Sequence, residues 1–474
     1  MAAHRNLPTT VVLVVSGLLT QSLVQAESLT AMLTRVYQTN PDIQTAIAEV
    51  RRSAELLPQA RANWLPQMDL IATEGRSRIH QVTKDDVTNL HTTNDLNERL
   101  TDRSLELELS LSLYEGGARS ANLSSAESQV AAAVAELDQS VAETLFTATQ
   151  AYATVMLYRE LTRLNDDIER FLIRLAKESD DLFENRLITL TDRAQTQASL
   201  AATRANKAAI QGSLAQAESD YVAVSGAPPG SLPLRWDGLP APPSGLAEAK
   251  KAARQANPAL RAARFGTDAA AADIQVARGQ LLPSITAYST LSRTWDNSRY
   301  TSATDYTEFE REDDWSLSLQ VQVPLFHGGE NYSRVREARA NLSVAKNQAR
   351  STSMGMINAV ETAWAQLQSA WAQGKSTALE VSADRDALSG FERQLRDGTS
   401  TMKDLLDART ELDEALENQV STQYQAFMAQ AQLLALMGRF TAQDLKLAAS
   451  QFDSQGYIDS VRRKLFGTSL PSRP

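Results

Sequence analysis

Asp404 and Asp407 stand three residues apart, which on a helix puts both carboxylates on one face about 5–6 Å from each other. Acids so placed can attract cations or secure a helix terminus. The second chemistry has its own mark. Thr401-x-x-Asp404, like Thr189-x-x-Asp192, has the spacing of a capping-box variant, in which hydroxyl and carboxylate satisfy the free N–H groups of a helix start. Asp407 lies beyond the capping position. Glu106 and Glu108 fall two apart in an alternating segment, so they share one side of a strand. Little else could do covalent work. There is no cysteine, the four histidines (His4, His80, His91 and His327) are scattered, and no Ser/His/Asp or phosphate-loop spacing occurs. No enzyme, cofactor or metal site is expected.

The chain has 474 residues, with 47 basic and 57 acidic side chains, and its net charge of −10 argues against a nucleic-acid partner. With 43% hydrophobic and only 6% aromatic residues, long thin helices suit it better than thick cores. Residues 1–26 read as an export signal: Arg5 is the basic end, residues 11–19 the apolar run, and Val24-Gln25-Ala26 the cleavage site. The mature chain would begin at Glu27 with a net charge of −11, from 46 basic and 57 acidic side chains. No later apolar stretch reaches the ~18 residues of a membrane helix. Any entry into a membrane must be by strands.

One pattern is written twice. Asn40-Pro41 recurs as Asn257-Pro258 and Leu65-Pro66 as Leu282-Pro283, both 217 residues on. Gly116-Gly117 recurs as Gly328-Gly329, and Thr189 and Asp192 as Thr401 and Asp404, all 212 residues on. The expected organisation is a first repeat at 27–226, a linker at 227–245, a second repeat at 246–438 and a periplasmic tail at 439–474. From Gly226 to Gly245, six prolines and four glycines in twenty positions exclude a helix or central strand. Each repeat should run as a short Ala-rich helical part, a β-hairpin (64–114 and 282–326) and a long helix pair (118–225 and 330–437).

Residues 104–113 alternate without a break, with leucine at 105, 107, 109, 111 and 113 opposite Glu106, Glu108, Ser110 and Ser112. Residues 315–323 repeat the scheme. Period-two alternation over about ten residues suits a strand facing two environments, lipid on one side and water on the other. A soluble module with one solvated face would alternate in the same way. Residues 76–102 and 296–314 read as long polar outward loops, and Trp64, Tyr288, Trp295 and Trp315 as an aromatic girdle. Four strands cannot close a membrane barrel, which needs about eight or more, so several copies must share one. The helix pairs carry heptad-spaced apolar rows such as Leu123, Val130 and Leu137, and must reverse near residues 184–189. A periplasmic structural coiled coil is the alternative from another class.

With these features the chain resembles the TolC-like outer-membrane channel-tunnel family across essentially its whole mature length. The motifs are LYEGGARSANLSSAESQVAAA and VPLFHGGENYSRVREARANLSVA at the strand-to-helix joints, and LRDGTSTMKDLLDARTELDEAL in the last long helix. The resemblance implies a homotrimer with a 12-stranded outer-membrane β-barrel, four strands per chain, continuous with a periplasmic α-helical barrel. It implies a passive duct through outer-membrane lipid, recruited by a periplasmic adaptor protein and an inner-membrane transporter. The ending SQGYIDSVRRKLFG resembles the type I protein secretion subgroup, which implies an ABC transporter; multidrug or metal efflux is the alternative.

The same resemblance places Asp404 and Asp407 in an acidic ring at the periplasmic aperture, and the inward Glu106 and Glu108 would add to its cation preference. The sequence also departs from the family at the tip. The family's glycine and basic residue there correspond to Gly398 and Ser400 in the second repeat and to Arg186 and Ile188 in the first, and a closing tyrosine corresponds to Leu395.

Overall fold

The computed structural model describes residues 27–87, 90–233, 235–301 and 306–470; the export signal expected at 1–26 lies outside them. The first repeat contains α1 (Leu29–Thr39), α2 (Pro41–Ala54), α3 (Leu56–Ala62), β1 (Gln67–Val87), β2 (Leu90–Glu115), α4 (Ala118–Glu184) and α5 (Leu190–Ser225). The second contains α6 (Leu246–Ala256), α7 (Pro258–Gly279), β3 (Ser284–Thr301), β4 (Tyr306–Gln322), α8 (Glu330–Arg396) and α9 (Met402–Leu436). A last helix, α10 (Ser454–Arg462), follows. The long helices α4 and α8 have 67 residues each, hence span roughly 100 Å.

The strands form one antiparallel sheet in the order β1-β2-β3-β4. Each continues a helix: α3 leads into β1, β2 into α4, α7 into β3 and β4 into α8. Next to the sheet the helices keep that order, with α4 between α2–α3 and α7, and α7 against α8. Farther away α5 and α9 take over, α5 packing on α4 and α9 lying between α4 and α8. The chain is thus one wall, four elements wide from end to end.

The hairpins run farther than the alternation indicated. Segments 76–102 and 296–314, expected as loops, are mostly ladder: β1 pairs with β2 from Gln67↔Ser110 to Val87↔Leu90, and β3 with β4 from Ser284↔Gln322 to Tyr300↔Tyr306. Backbone pairing does not require an apolar face, so it persists where the side chains are polar. The girdle is also smaller than expected. Tyr288 pairs with Ser110 and Ser318 on the polar face, whereas Trp64, just before β1, stays about half exposed with the Arg119 guanidinium 4.5 Å from its ring centre. Trp295 and Trp315 keep the apolar side.

The repeated motifs turn out to be joints. Asn40 and Asn257 cap α2 and α7, accepting from the N–H groups of Asp42 (2.8 Å) and Leu260 (3.0 Å), with proline following at the first helical position. Their side-chain amides also donate to the carbonyls of Val224 (3.3 Å) and Leu436 (2.9 Å), at the ends of α5 and α9. Each asparagine therefore ties the short helices to the returning long one. At the strand-to-helix joints, Gly116 and Gly117 have φ of 59° and 84°, and Gly328 and Gly329 60° and 86°. A Cβ on Gly116 would stand 2.6 Å from the Gly279 carbonyl oxygen. Beside these turns Arg119 donates to the carbonyls of Asn63 (3.2 Å), Ser112 and Leu113 (both 2.6 Å), and its repeat counterpart Asn331 donates to that of Gln280 (3.2 Å).

The main core lies at mid-length, where Tyr152, Tyr221 and Phe440 are fully or nearly fully buried among α1, α2, α4, α5, α9 and the segment after α9. The Pro/Gly-rich segment joins it, since Trp236 packs on Tyr424 and Phe427 at 6.1 and 5.6 Å. In the tail, α10 buries Tyr457, Ile458 and Val461, and the Arg51 guanidinium lies over the rings of Phe452 and Tyr457.

Replacing Asn40 or Asn257 with Ala removes a cap and a bond to a distant carbonyl, each worth about 1 kcal/mol. Either variant is expected to lose about 2 kcal/mol in denaturant melts of the purified protein; an unchanged melt would remove the joint role.

Candidate functional site

Two regions could act on whatever passes along the wall: the polar face of the sheet, and the far tip where α4 turns into α5 and α8 into α9.

Register puts Met68, Leu70, Leu105, Leu107, Leu109, Leu291, Trp315, Leu317 and Leu319 on one face. The other face carries Glu106 and Glu108, and six further carboxylates gather beside them. Asp69 stands opposite Glu108; Glu106 shares a row with Asp314, and Ser104 with Glu312; Asp102, Asp296 and Glu310 line up across three strands. Among the described residues of these rows the polar face carries no lysine, arginine or histidine. Like charges side by side repel, so such a face is tolerable where water and counter-cations screen it. Only the strand pairing brings these acids together, and so sequence reasoning reached just the two on one strand.

At the tip, α4 ends with Arg186 in the left-handed region (φ 59°), where α8 has Gly398 (φ 71°). The N–H groups of Leu187 and Thr399 reach back to the carbonyls of Leu182 and Gln394, both at 2.9 Å, closing each helix in the same way. The missing first-repeat glycine has therefore not changed the turn. Both expected capping boxes form. The Thr189 hydroxyl accepts from the Asp192 N–H (3.1 Å) while the Thr189 N–H donates to the Asp192 carboxylate (3.0 Å). Thr401 and Asp404 repeat this at 3.2 and 2.9 Å, and the Thr401 and Ser400 hydroxyls add bonds to the same carboxylate oxygen at 2.7 and 3.1 Å. These donors, the Thr401 hydroxyl first, hold Asp404 below the usual carboxylate range. Asp407 is ion-paired with Lys403 one turn away, which raises the lysine.

Above the tip lies a buried polar joint that spacing did not reveal. Asn165 on α4, 1% exposed, donates to Glu417 on α9 (3.1 Å) and accepts from Asn206 on α5 (3.2 Å). Nearby Arg409 sits over the Phe171 ring at 4.4 Å and pairs with Asp413 at 2.9 Å. Burial pushes Asp413 up to about 6 despite the opposing pull of Arg409. An i,i+4 Arg–Asp pair is visible in the sequence, but its burial, with the guanidinium against Phe171 of α4, is not.

A wall with one apolar and one acidic sheet face, two unpaired strand edges and long helices behind it defines an outer-membrane channel-tunnel protomer. The chain belongs to the outer membrane efflux protein family, whose model matches it twice, over residues 32–227 and 250–439. It is similar to the outer membrane efflux protein BepC of Brucella suis, 26% identical over 99% of this chain and 98% of that one. The alkaline protease secretion protein AprF of Pseudomonas aeruginosa is 24% identical over 92% and 89% of the two chains. The crystal structure of the outer membrane protein VceC of Vibrio cholerae has the same fold, with a TM-score of 0.70 at 19% identity, over 86% of this chain and 96% of that one. Proteins of this family are trimers that reach from the outer membrane into the periplasm and work with periplasmic adaptors and inner-membrane transporters. They are passive conduits, not enzymes.

Asp413 yields a pH prediction. Its folded pKa, about 6, lies above its ordinary 3.8, so its contribution favours folding when protonated and is lost as pH rises from about 4 to about 6. About two units correspond to at most about 3 kcal/mol. Asp413→Asn should raise the melting temperature of the trimer near pH 7 and flatten its rise towards about pH 5. A steeper dependence in the variant would contradict this.

Proposed function

We propose that this outer-membrane duct is the exit of a type I protein secretion system, served by an ABC-type transporter and its adaptor. The observation that carries the reading is the tail: the first nine residues of SQGYIDSVRRKLFG fold as α10 against α2 and α3, with Arg462 paired to Glu127 on α4 at 2.8 Å. Similarity to a relative named for protease secretion supports it. The similarity to BepC, named as an efflux protein, favours small-molecule efflux as the second reading. Cross-linking in cells followed by purification of the trimer decides between them: an ABC exporter with its adaptor is expected, and a proton-driven efflux pump in its place would overturn the secretion reading.

The tip is the selective point of the duct in this proposal. Asp404, Asp407 and Lys403 give each chain one net negative charge there, and three copies would ring the aperture with it. Asp404 stays ionised at neutral pH, so the ring favours cations. Capping explains Thr189, Asp192, Thr401 and Gly398 as builders of the turn. Glu106 and Glu108, with their acidic neighbours, extend the cation preference into the barrel.

In planar bilayers, Asp404→Asn with Asp407→Asn should lower cation over anion permeability, because Lys403 is then the only charge of the three. Lys403→Gln should raise it. Selectivity that is unmoved in both variants would take these residues out of the pore.

A further inference from the structure

The apolar face of the sheet does not end in neutral residues. Above the row Leu70–Leu107–Leu291–Trp315, the same face continues as Ala72–Leu105–Arg293–Asp313, then Glu74–Arg103–Trp295–Arg311, then Arg76–Thr101–Asn297–Phe309. In the next row Arg78 stands directly opposite Arg99, and Arg299 takes the following register position. Charges on this sheet are therefore sorted. Among the described side chains, carboxylates dominate the polar face, while the arginines occupy the apolar one.

Two acids accompany the arginines in these rows among the described residues. Glu74 takes Arg76 (3.6 Å) and Arg103 (3.4 Å), and Asp313 takes Arg293 and Arg311. Each acid is thus shared by two guanidinium groups, which leaves the face cationic. Placing Arg78 against Arg99 is unfavourable in the bare sheet, because like charges directly opposite each other destabilise a strand pair. Such a row suits an external anion. Every cation in these rows is arginine, whose planar fork matches a phosphate with two parallel bonds.

We propose that this arginine field, outward and just beyond the apolar band, binds the phosphate groups of a sugar-bearing lipid in the outer leaflet. The position supports a lipid: the field is continuous with the lipid-facing band, and Trp295 and Trp315 mark the interface between them. The height decides which lipid. From the Ala72 row to the Arg78 row is six residues, or about 20 Å along the strand and roughly 15 Å along a barrel axis at the usual tilt. A phospholipid headgroup layer is only about 5–7 Å deep. Anions distributed over the upper rows belong to a taller headgroup, such as a phosphorylated oligosaccharide.

This inference rests on the apolar face being the lipid-facing one, and its test is separate from that of the duct. The purified trimer in detergent is titrated with lipopolysaccharide carrying a phosphorylated core, with the same material after chemical dephosphorylation, and with phosphatidylglycerol. The variant combines Arg76→Gln, Arg78→Gln, Arg99→Gln and Arg103→Gln. Each arginine lost is expected to weaken binding of the phosphorylated form about fivefold. Dephosphorylated material should bind wild type as weakly as the phosphorylated form binds the variant. Equal affinity of wild type and variant overturns the proposal, and phosphatidylglycerol binding as tightly with the same arginine dependence overturns the choice of glycolipid. If the fourfold variant does not assemble, Arg78→Gln with Arg99→Gln serves instead. Without lipid it should melt no lower than wild type, since a repulsive pair has been removed; a lower melt would make the arginines structural and sink the idea. Conductance of wild type in planar bilayers is recorded in parallel, so that failure of the duct is seen independently of lipid binding.

Discussion

The structure is organised by backbone groups that cannot be left unpaired. A four-stranded sheet has two open edges, here β1 and β4, and in hydrocarbon each unmatched N–H or C=O costs several kcal/mol. Only closure removes the edges, and four strands are too few to close alone. Pooling three copies supplies twelve. Sharing one barrel among several copies is thus a physical necessity of the strand count, and the trimers of this family meet it.

Closure at the sheet obliges the helices to follow. Because each strand is covalently continuous with a helix, and the helices keep the strand order, a cylinder of strands must be extended by a cylinder of helices. Leu70, Leu291, Trp315 and Leu317, all more than half exposed in the single chain, line the apolar face of the sheet. The repeated joints transmit this geometry. Asn40 and Asn257 hold the mid-length short helices to the returning long ones, while Arg119 and Asn331 hold the strand-to-helix turns. The two repeats keep equivalent bonds even where the side chain has changed from arginine to asparagine. What is preserved is the carbonyl that must be satisfied, not the residue that satisfies it.

Charge is distributed on the same principle. Acids gather on the polar face of the sheet, arginines on the apolar one, and the tip acids Asp192 and Asp404 are committed to closing helix starts. A capping carboxylate and a pore carboxylate are compatible roles, since Asp404 spends one oxygen on its three donors. Its ionised form is favoured by the same bonds that hold the turn. By contrast Asp413 is buried beside one arginine, and its raised pKa reflects the cost of removing a charge from water.

The sequence by itself determined what is local or periodic: the duplication, the two-faced strands, the long helix pairs, the reversal near residues 184–189 and the capping boxes at Thr189 and Thr401. The duplication is read by laying one half on the other; each of the rest is carried by residues within a few positions of one another, where spacing and geometry are the same thing. Tertiary structure decided the rest. It extended the hairpins through the polar segments, turned Tyr288 inward, placed Trp64 under Arg119 and set six more carboxylates beside Glu106 and Glu108. It also joined Asn40 to Val224 and Asn165 to Glu417, across 184 and 252 residues. Strand register and helix packing choose such neighbours, and neither leaves a trace in local spacing, because a partner that distant is selected by how the whole wall packs.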